Sequence, residues 1–217
     1  RIPSISSLTE HKGDVRKAAE WLKEAMEKAG LENAEVFETD GHPVVYADWL
    51  HAEGKPTVLV YGHYDVQPVD PLDLWETPPF DPHVRDNKLY ARGASDDKGQ
   101  TFMHVKAVEA LLKLEGELPV NIKFIVEGEE EIGSPTLPKY VEQNQEQLKA
   151  DLIVISDTGM QGPGRPAVCY GLRGLAGIQI DVQGPKGDLH SGLYGGAVQN
   201  PLHAIVEILQ SFRDKEG

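Results

Sequence analysis

Three short apolar runs separated by helical segments constrain this chain more than any other feature. The runs lie at residues 57–61, 120–126 and 151–156, and helices are predicted at 98–114 and 137–149. Apolar runs of this length are typical of strands in the interior of a sheet. Because they alternate with helices, they predict an α/β domain with a mostly parallel sheet that helices cover on both faces. In such sheets, functional sites form beyond the carboxyl ends of the strands.

The remaining pattern extends this domain and then changes character. A helix is predicted at residues 14–28, which Gly30 ends, and further strands are predicted at 34–38, 44–49 and 88–92. Beyond these, two strands at 167–173 and 175–182 and an amphipathic helix at 201–212 form a β-then-α pattern. We therefore predict one α/β domain at residues 1–173 and the start of a smaller α+β domain at 174–217.

Composition excludes some classes of function. The formal net charge of −14 argues against nucleic-acid binding, which requires a basic surface. No stretch approaches the roughly 18 consecutive apolar residues of a membrane span. The single cysteine, Cys169, rules out an internal disulfide and a cysteine-rich zinc module. It suits a reducing compartment, and we expect a cytoplasmic protein.

Acidic residues and one histidine follow the predicted strands at the points where the strands end. They are His63 and Asp65 after the first run, Asp96 and Asp97 after 88–92, Glu127, Glu129, Glu130 and Glu131 after 120–126, and Asp157 after 151–156. Each group alone has an ordinary explanation: a structural His-x-Asp, a helix N-cap acid or a solvated charge run. Converging carboxylates repel each other unless a cation neutralises them. The combination therefore predicts a site for divalent metal ions, with two ions about 3.5–4 Å apart sharing a carboxylate.

Five sequence motifs carry a resemblance to a known family. They are Gly-His-Tyr-Asp-Val-Gln-Pro at 62–68, Ala-Arg-Gly-Ala-Ser-Asp-Asp-Lys-Gly at 91–99, Glu-Gly-Glu-Glu-Glu-Ile-Gly-Ser at 127–134, Ser-Asp at 156–157 and Asp-Leu-His-Ser-Gly-Leu-Tyr-Gly-Gly at 188–196. In this order they resemble the di-zinc metallopeptidase family of carnosinases, aminoacylases and succinyl-diaminopimelate desuccinylases. The resemblance is strongest to its cytosolic nonspecific dipeptidase and carnosinase branch, and it extends over nearly the whole chain.

The resemblance implies a role for each motif residue around a first metal ion. His63 is expected to bind this metal, with Asp65 holding the imidazole ring in the correct tautomer. Asp96 is expected to bridge both metals, since the family ligand is the acid three residues before the glycine, here Gly99. The peptide bond after this acid is typically cis in the family. Asp157 is expected to be the remaining carboxylate on the first metal.

The other motif residues are expected to serve catalysis and the second metal. Glu130 resembles the general base and Glu131 a ligand of the second metal. His190 resembles a substrate-binding histidine of the lid domain, which in dimeric members reaches the active site of the partner subunit. The family's second metal takes one more histidine, in a part of the sequence beyond Gly217. The chain is therefore expected to be an N-terminal fragment that is inactive in isolation.

The implied activity is hydrolysis of the amide bond of dipeptides or small peptides by a water that two metal ions activate. Zinc is the expected metal, with manganese or cobalt as alternatives. The expected partners are a small peptide or N-acyl amino acid substrate and a second copy of the protein, which forms a homodimer through the lid domain. Two alternatives stay open: an N-acyl-amino-acid deacylase or desuccinylase of the same fold, and a metal-binding relative without catalysis. The aspartate at position 157, rather than glutamate, favours the dipeptidases.

Overall fold

The computed structural model describes residues 1–215, and its elements follow the predicted alternation of strands and helices. The strands are β1 (Glu32–Phe37), β2 (Val44–Trp49), β3 (Thr57–His63), β4 (His83–Arg85), β5 (Lys88–Tyr90), β6 (Asn121–Glu127) and β7 (Leu152–Ile155). The helices are α1 (Lys12–Ala29), α2 (Lys98–Glu115), α3 (Leu137–Gln143), α4 (Gln145–Leu148), α5 (Ser191–Tyr194) and α6 (Pro201–Ser211). Within these residues, no helix combines the length and the apolar character that crossing a bilayer requires.

The central sheet has the strand order β1-β2-β6-β3-β7. Strands β6, β3 and β7 run parallel to each other, whereas β1 and β2 add an antiparallel extension beside β6. In the register, His63 lies opposite Glu127, and Tyr61 lies opposite Ile155. The carboxyl ends of the three parallel strands therefore lie at one edge of the sheet, as the sequence predicted. The predicted α/β class is confirmed.

Helices cover both faces of this sheet. On one face, α1 and α2 pack against a cluster that includes the fully buried side chains of Val45, Phe124 and Val126. On the other face, Tyr140 of α3 and Leu148 of α4 pack against Tyr46 and other strand residues. Gly30 ends α1 in the left-handed conformation (φ 96°), as predicted for a residue without a Cβ atom.

Several predicted elements differ in the structure. The strand predicted at 88–92 is only β5, which pairs with β4 in a separate two-stranded sheet. Asp96 and Asp97 therefore reach the sheet edge from the start of α2 and not from the end of a strand. The helix predicted at 137–149 is broken at Asn144 into α3 and α4. Strand β7 is an edge strand, so three of its apolar side chains are more than half exposed instead of buried: Leu152, Ile153 and Ile155.

The chain divides into two units, Arg1–Ala167 and a second that begins at Val168. The second unit contains α5 and α6, and the side chain of Asn200 caps α6 by accepting a hydrogen bond from the backbone N–H of Leu202. The strands predicted at 167–173 and 175–182 are wrong: these residues form no strand, because no described segment pairs with them. The predicted domain ranges, 1–173 and 174–217, stay predictions, and residues 216 and 217 lie outside the described part.

Candidate metal centre

His63 is the last residue of β3 and is fully buried. Its Nε2 atom faces three carboxylates, at 3.1 Å from Asp96 Oδ1, 3.5 Å from Asp157 Oδ2 and 3.9 Å from Glu130 Oε2. Its Nδ1 atom faces the other way, 3.3 Å from Asp65 Oδ1 and 3.2 Å from the Asp65 carbonyl oxygen. One nitrogen of the imidazole is thus held by Asp65, and the other points into a cluster of oxygens.

The Asp65 carboxylate holds more than the imidazole. Oδ1 accepts a hydrogen bond from the backbone N–H of Glu130 (3.3 Å), and Oδ2 accepts one from the N–H of Glu131 (3.1 Å). Oδ2 also accepts a hydrogen bond from the hydroxyl of Ser6 at 2.6 Å. Because Asp65 is fully buried, these donors compensate the loss of its hydration. The same carboxylate therefore orients the His63 ring and the turn that carries both glutamates.

The two aspartates at the start of α2 point in different directions. Asp96 contacts His63 Nε2, whereas Asp97 Oδ2 accepts hydrogen bonds from the His63 backbone N–H (3.1 Å) and the Thr101 hydroxyl (2.8 Å). Burial raises the pKa of Asp97, although both donors lower it. The peptide bond between the two aspartates is cis, as the resemblance implied. The structure thus brings Asp96, and not Asp97, to the cluster.

Glu130 and Glu131 lie in a short 3-10 turn after β6, and their side chains have different neighbours. The Glu130 carboxylate joins the cluster around His63, and its side chain is 38% exposed. Burial raises the pKa of Glu130; His63 lowers it, while Glu131, Asp157 and Asp65 raise it further. Glu131 Oε2 instead accepts a hydrogen bond from Gln67 Nε2 at 2.8 Å. Glu131 therefore lies beside the His63 cluster and not within it.

Asp157 reaches the cluster from the segment that follows β7. It lies two residues beyond Ile155, the last residue of β7 that pairs with β3. The neighbouring Ser156 hydroxyl is 2.7 Å from Nε2 of His104 on α2. The potential ligand atoms of His63, Glu130 and Asp157 all lie within 4.8 Å of one another. These three groups are close enough together to hold a single metal ion.

His190 lies in the second unit, where it caps α5. Its Nδ1 atom accepts a hydrogen bond from the backbone N–H of Gly192 at 3.1 Å. The role that the resemblance implied for His190, contact with substrate, stays a prediction.

Two residues that support the site were missed by the sequence analysis. Ser6 donates to Asp65 from a position 59 residues away in the chain, and no local pattern marks such a contact. Gln67 holds the Glu131 side chain. Gln67 belongs to the motif that also contains His63 and Asp65, so its place in that motif was the available signal.

The donor set fits the predicted kind of metal. One imidazole nitrogen and several carboxylate oxygens suit zinc, manganese or cobalt, whereas magnesium and calcium prefer oxygen ligands alone. Burial lowers the pKa of His63, but the adjacent carboxylates of Asp65, Asp97 and Glu130 outweigh this effect and raise it to about 10. The metal-free ring is therefore protonated at neutral pH, where it partly neutralises the cluster. A metal ion would replace that proton.

The raised pKa of His63 predicts how the stability of the metal-free protein depends on pH. The pKa of His63 is about 10 in the folded protein and about 6.5 in an unfolded chain. Because the folded state binds this proton more tightly, the proton stabilises the fold, and the full stabilisation is present below about pH 6.5. This stabilisation decreases as the pH rises toward the folded-state pKa. We expect the free energy of unfolding, measured by urea denaturation with a chelator present, to fall between about pH 6.5 and 8.

Above this window a second group opposes His63. Burial lowers the pKa of Lys98 to about 8, and a lowered lysine pKa makes stability rise with pH above that value. The variant His63→Gln is the control, because it lacks the titrating ring and so should lose the decrease below pH 8. An identical slope in both proteins would contradict the assignment.

The contact between Ser6 and Asp65 predicts an effect of the substitution Ser6→Ala. The variant removes a donor from a buried carboxylate, which costs about 1–3 kcal/mol of the free energy of unfolding. Since Asp65 orients His63, metal affinity measured by chelator competition should also fall. Ser7→Ala is a matched control because Ser7 is exposed. Equal stability and equal metal affinity in the two variants would show that the contact does not support the site.

The chain is similar to known metallodipeptidases. The Cys-Gly metallodipeptidase DUG1 of Candida albicans is 36% identical over 232 residues, which cover 100% of this chain and 48% of that protein. The Beta-Ala-His dipeptidase of Homo sapiens is 42% identical over 177 residues, which cover 81% of this chain and 35% of that protein. The chain thus spans about half or less of the length of these relatives.

A solved structure and a family pattern agree with these relatives. The M20 family metallo-carboxypeptidase Sso-CP2 from Sulfolobus solfataricus superposes with a TM-score of 0.80 at 37% identity, over 100% of this chain and 48% of that one. The pattern of peptidase family M20/M25/M40 matches residues 59–212, which contain His63, Asp96, Glu130, Asp157 and His190. With the fold and the sequence in agreement, this chain belongs to peptidase family M20/M25/M40.

Proposed function

We propose that this chain carries a catalytic site of a metal-dependent dipeptidase. The observation that carries the proposal is the convergence of Asp96, Glu130 and Asp157 on Nε2 of the buried His63. Family membership and the dipeptidases among the relatives support the same activity. The substrate would be a dipeptide or another small peptide, cleaved at its amide bond.

We assign the ligands of two divalent ions from the roles that the family resemblance implies for these residues. His63 and Asp157 would hold one ion, Asp96 would bridge both, and Glu131 would contribute to the second. Gln67 keeps the Glu131 carboxylate beside the cluster through its 2.8 Å hydrogen bond. When bound, the ions supply Lewis acidity, which polarises the scissile carbonyl and lowers the pKa of water. Zinc is the ion we favour, because an imidazole accompanies the carboxylates.

Glu130 is the residue that we assign to proton transfer. Its carboxylate is partly exposed and its pKa is raised, first by burial. A raised pKa brings a carboxylate closer to neutral pH, where it can accept a proton from water and release it again. Glu130 would take the proton of the attacking water and pass it to the nitrogen of the leaving amine. The hydrogen bond from its own backbone N–H to Asp65 fixes the base of this side chain.

In a homodimer, His190 of a second copy of the protein would stabilise the oxyanion that forms on the substrate carbonyl. An imidazole N–H is a suitable donor for developing negative charge. In the described structure His190 Nδ1 accepts from Gly192 N, so Nε2 is the ring nitrogen that remains to face a ligand. We also propose that the intact protein is a cytoplasmic homodimer, in which the second unit forms the interface.

The substitution Glu130→Gln tests the proposed mechanism in the intact protein. Because Gln cannot accept the proton, kcat for dipeptides should fall by about 100- to 10,000-fold, while the metal content measured by atomic absorption persists. Glu146→Gln is a control, since it changes an exposed carboxylate on α4. Loss of metal in Glu130→Gln would mean that Glu130 is a ligand and that the base is another group.

A substrate panel separates the dipeptidase from the deacylase. The intact zinc-loaded and manganese-loaded enzymes are assayed with unmodified dipeptides and with N-acetyl amino acids. Faster hydrolysis of the unmodified dipeptides supports the proposal. Cleavage of the acylated substrates alone would refute the dipeptidase assignment, and cleavage of neither class would favour a relative that binds metal without catalysis.

A further inference from the structure

The attachment of Asp157 differs from that of the other site residues. The Asp65 carboxylate contacts the His63 ring and accepts hydrogen bonds from the backbone N–H groups of Glu130 and Glu131. Among the described residues, no hydrogen bond links Asp157 or its backbone to the Asp65 carboxylate. It follows β7, an edge strand with largely exposed side chains. Register pairing with β3 ends at Ile155. The sheet therefore leaves the position of Asp157 less constrained than the positions of the others.

One side-chain hydrogen bond links the segment 156–158 to another element of the described chain. The Ser156 hydroxyl lies 2.7 Å from Nε2 of His104, which is on the second turn of α2. A local hydrogen bond also forms within this segment, from the backbone N–H of Thr158 to the carbonyl of Ser156. His104 is half-buried, and its burial lowers the pKa, which keeps the ring neutral and suited to a hydrogen bond with a hydroxyl.

Helix α2 is itself held rigidly against the site. The Asp97 carboxylate at the start of α2 accepts hydrogen bonds from the backbone N–H of His63 and from the hydroxyl of Thr101. These bonds attach the first turn of the helix to the end of β3. Close approach depends on Gly62, since a Cβ atom there would lie 2.1 Å from Thr101 Oγ1. His104 is one turn after Thr101 and on the same side of the helix. The inward side of α2 thus contacts the end of β3 at one point and the end of β7 at another.

We infer that His104 is a positioning residue, which sets the distance of the Asp157 carboxylate from His63 through its hydrogen bond with Ser156. Helix α2 acts as a brace between the two strand ends. Because α2 is attached to the end of β3, its contact with Ser156 fixes the position of the segment that follows β7. The consequence concerns metal affinity, because Asp157 Oδ2 is 3.5 Å from His63 Nε2 and both atoms would bind the same ion. This inference rests on the proposed role of Asp157 as a metal ligand.

The test compares zinc affinity, by competition with a chromogenic chelator, in variants of the intact protein. His104→Ala and Ser156→Ala should each weaken zinc binding by about 10- to 100-fold, the usual effect of removing a residue that supports a metal ligand. The double variant should be no weaker than either single variant, because both remove the same contact. His104→Gln should restore most of the affinity, since its amide group can reach the Ser156 hydroxyl.

Two controls separate positioning from stability. Met103→Ala changes a neighbouring residue of α2 that is 56% exposed, so its zinc affinity should equal that of the unmodified protein. The melting temperature of each metal-free variant is measured in parallel. A lower melting temperature in His104→Ala with unchanged zinc affinity would overturn the inference, and so would additive losses of affinity in the double variant.

The variant Asp157→Asn distinguishes failure of this inference from failure of the proposed function. If Asp157→Asn loses zinc affinity and His104→Ala does not, the brace is refuted while the ligand role of Asp157 stands. If Asp157→Asn binds zinc as the unmodified protein does, the ligand role is wrong and the inference falls with it. Loss of affinity in both, with recovery in His104→Gln, supports the brace.

Discussion

The buried carboxylate of Asp65 is the interaction on which the rest of the site depends. A carboxylate in the protein interior is tolerated only when donors replace its hydration. Ser6, the backbone N–H groups of Glu130 and Glu131, and the His63 ring all lie within hydrogen-bonding or ion-pairing distance of it. These donors come from three different parts of the chain. Satisfying one buried charge therefore requires the N-terminal segment, the end of β3 and the turn after β6 to meet at one place.

The parallel sheet explains why these parts meet where a metal could bind. Register pairs His63 with Glu127, so the residues after β6 emerge beside the residues after β3. Strand β7 pairs with β3 on the other side and delivers Asp157 to the same edge. Helix α2 closes the arrangement, and the absence of a side chain at Gly62 allows its first turn to approach β3. Sheet order and one close helix contact are sufficient to bring together residues that are more than 90 positions apart.

The sequence predicts the positions of site residues correctly where apolar periodicity and the geometry of a parallel sheet determine them. Strand ends identified His63, Glu130 and Asp157 as neighbours because apolar periodicity shows where a parallel strand stops. The prediction failed for β5, since a short strand pattern does not reveal which strand it will pair with. The same reason applies to residues 167–182, where alternation without a partner in the described chain gives no strand. Ser6 could not be predicted, because a contact across 59 residues leaves no periodic signal.

The charge balance of the site favours different roles for its carboxylates: some would bind metal, and one would transfer a proton. Asp96, Glu130 and Asp157 surround one imidazole, so three negative charges face at most one positive charge in the metal-free protein. A divalent cation would relieve this repulsion for the carboxylates that contact it directly. A carboxylate that does not bind the cation directly would remain available for proton transfer. Glu130 is the farthest of the three from His63 Nε2, and the protein environment raises its pKa. Glu130, the base that we propose, therefore belongs to the same group of carboxylates that a metal ion would neutralise.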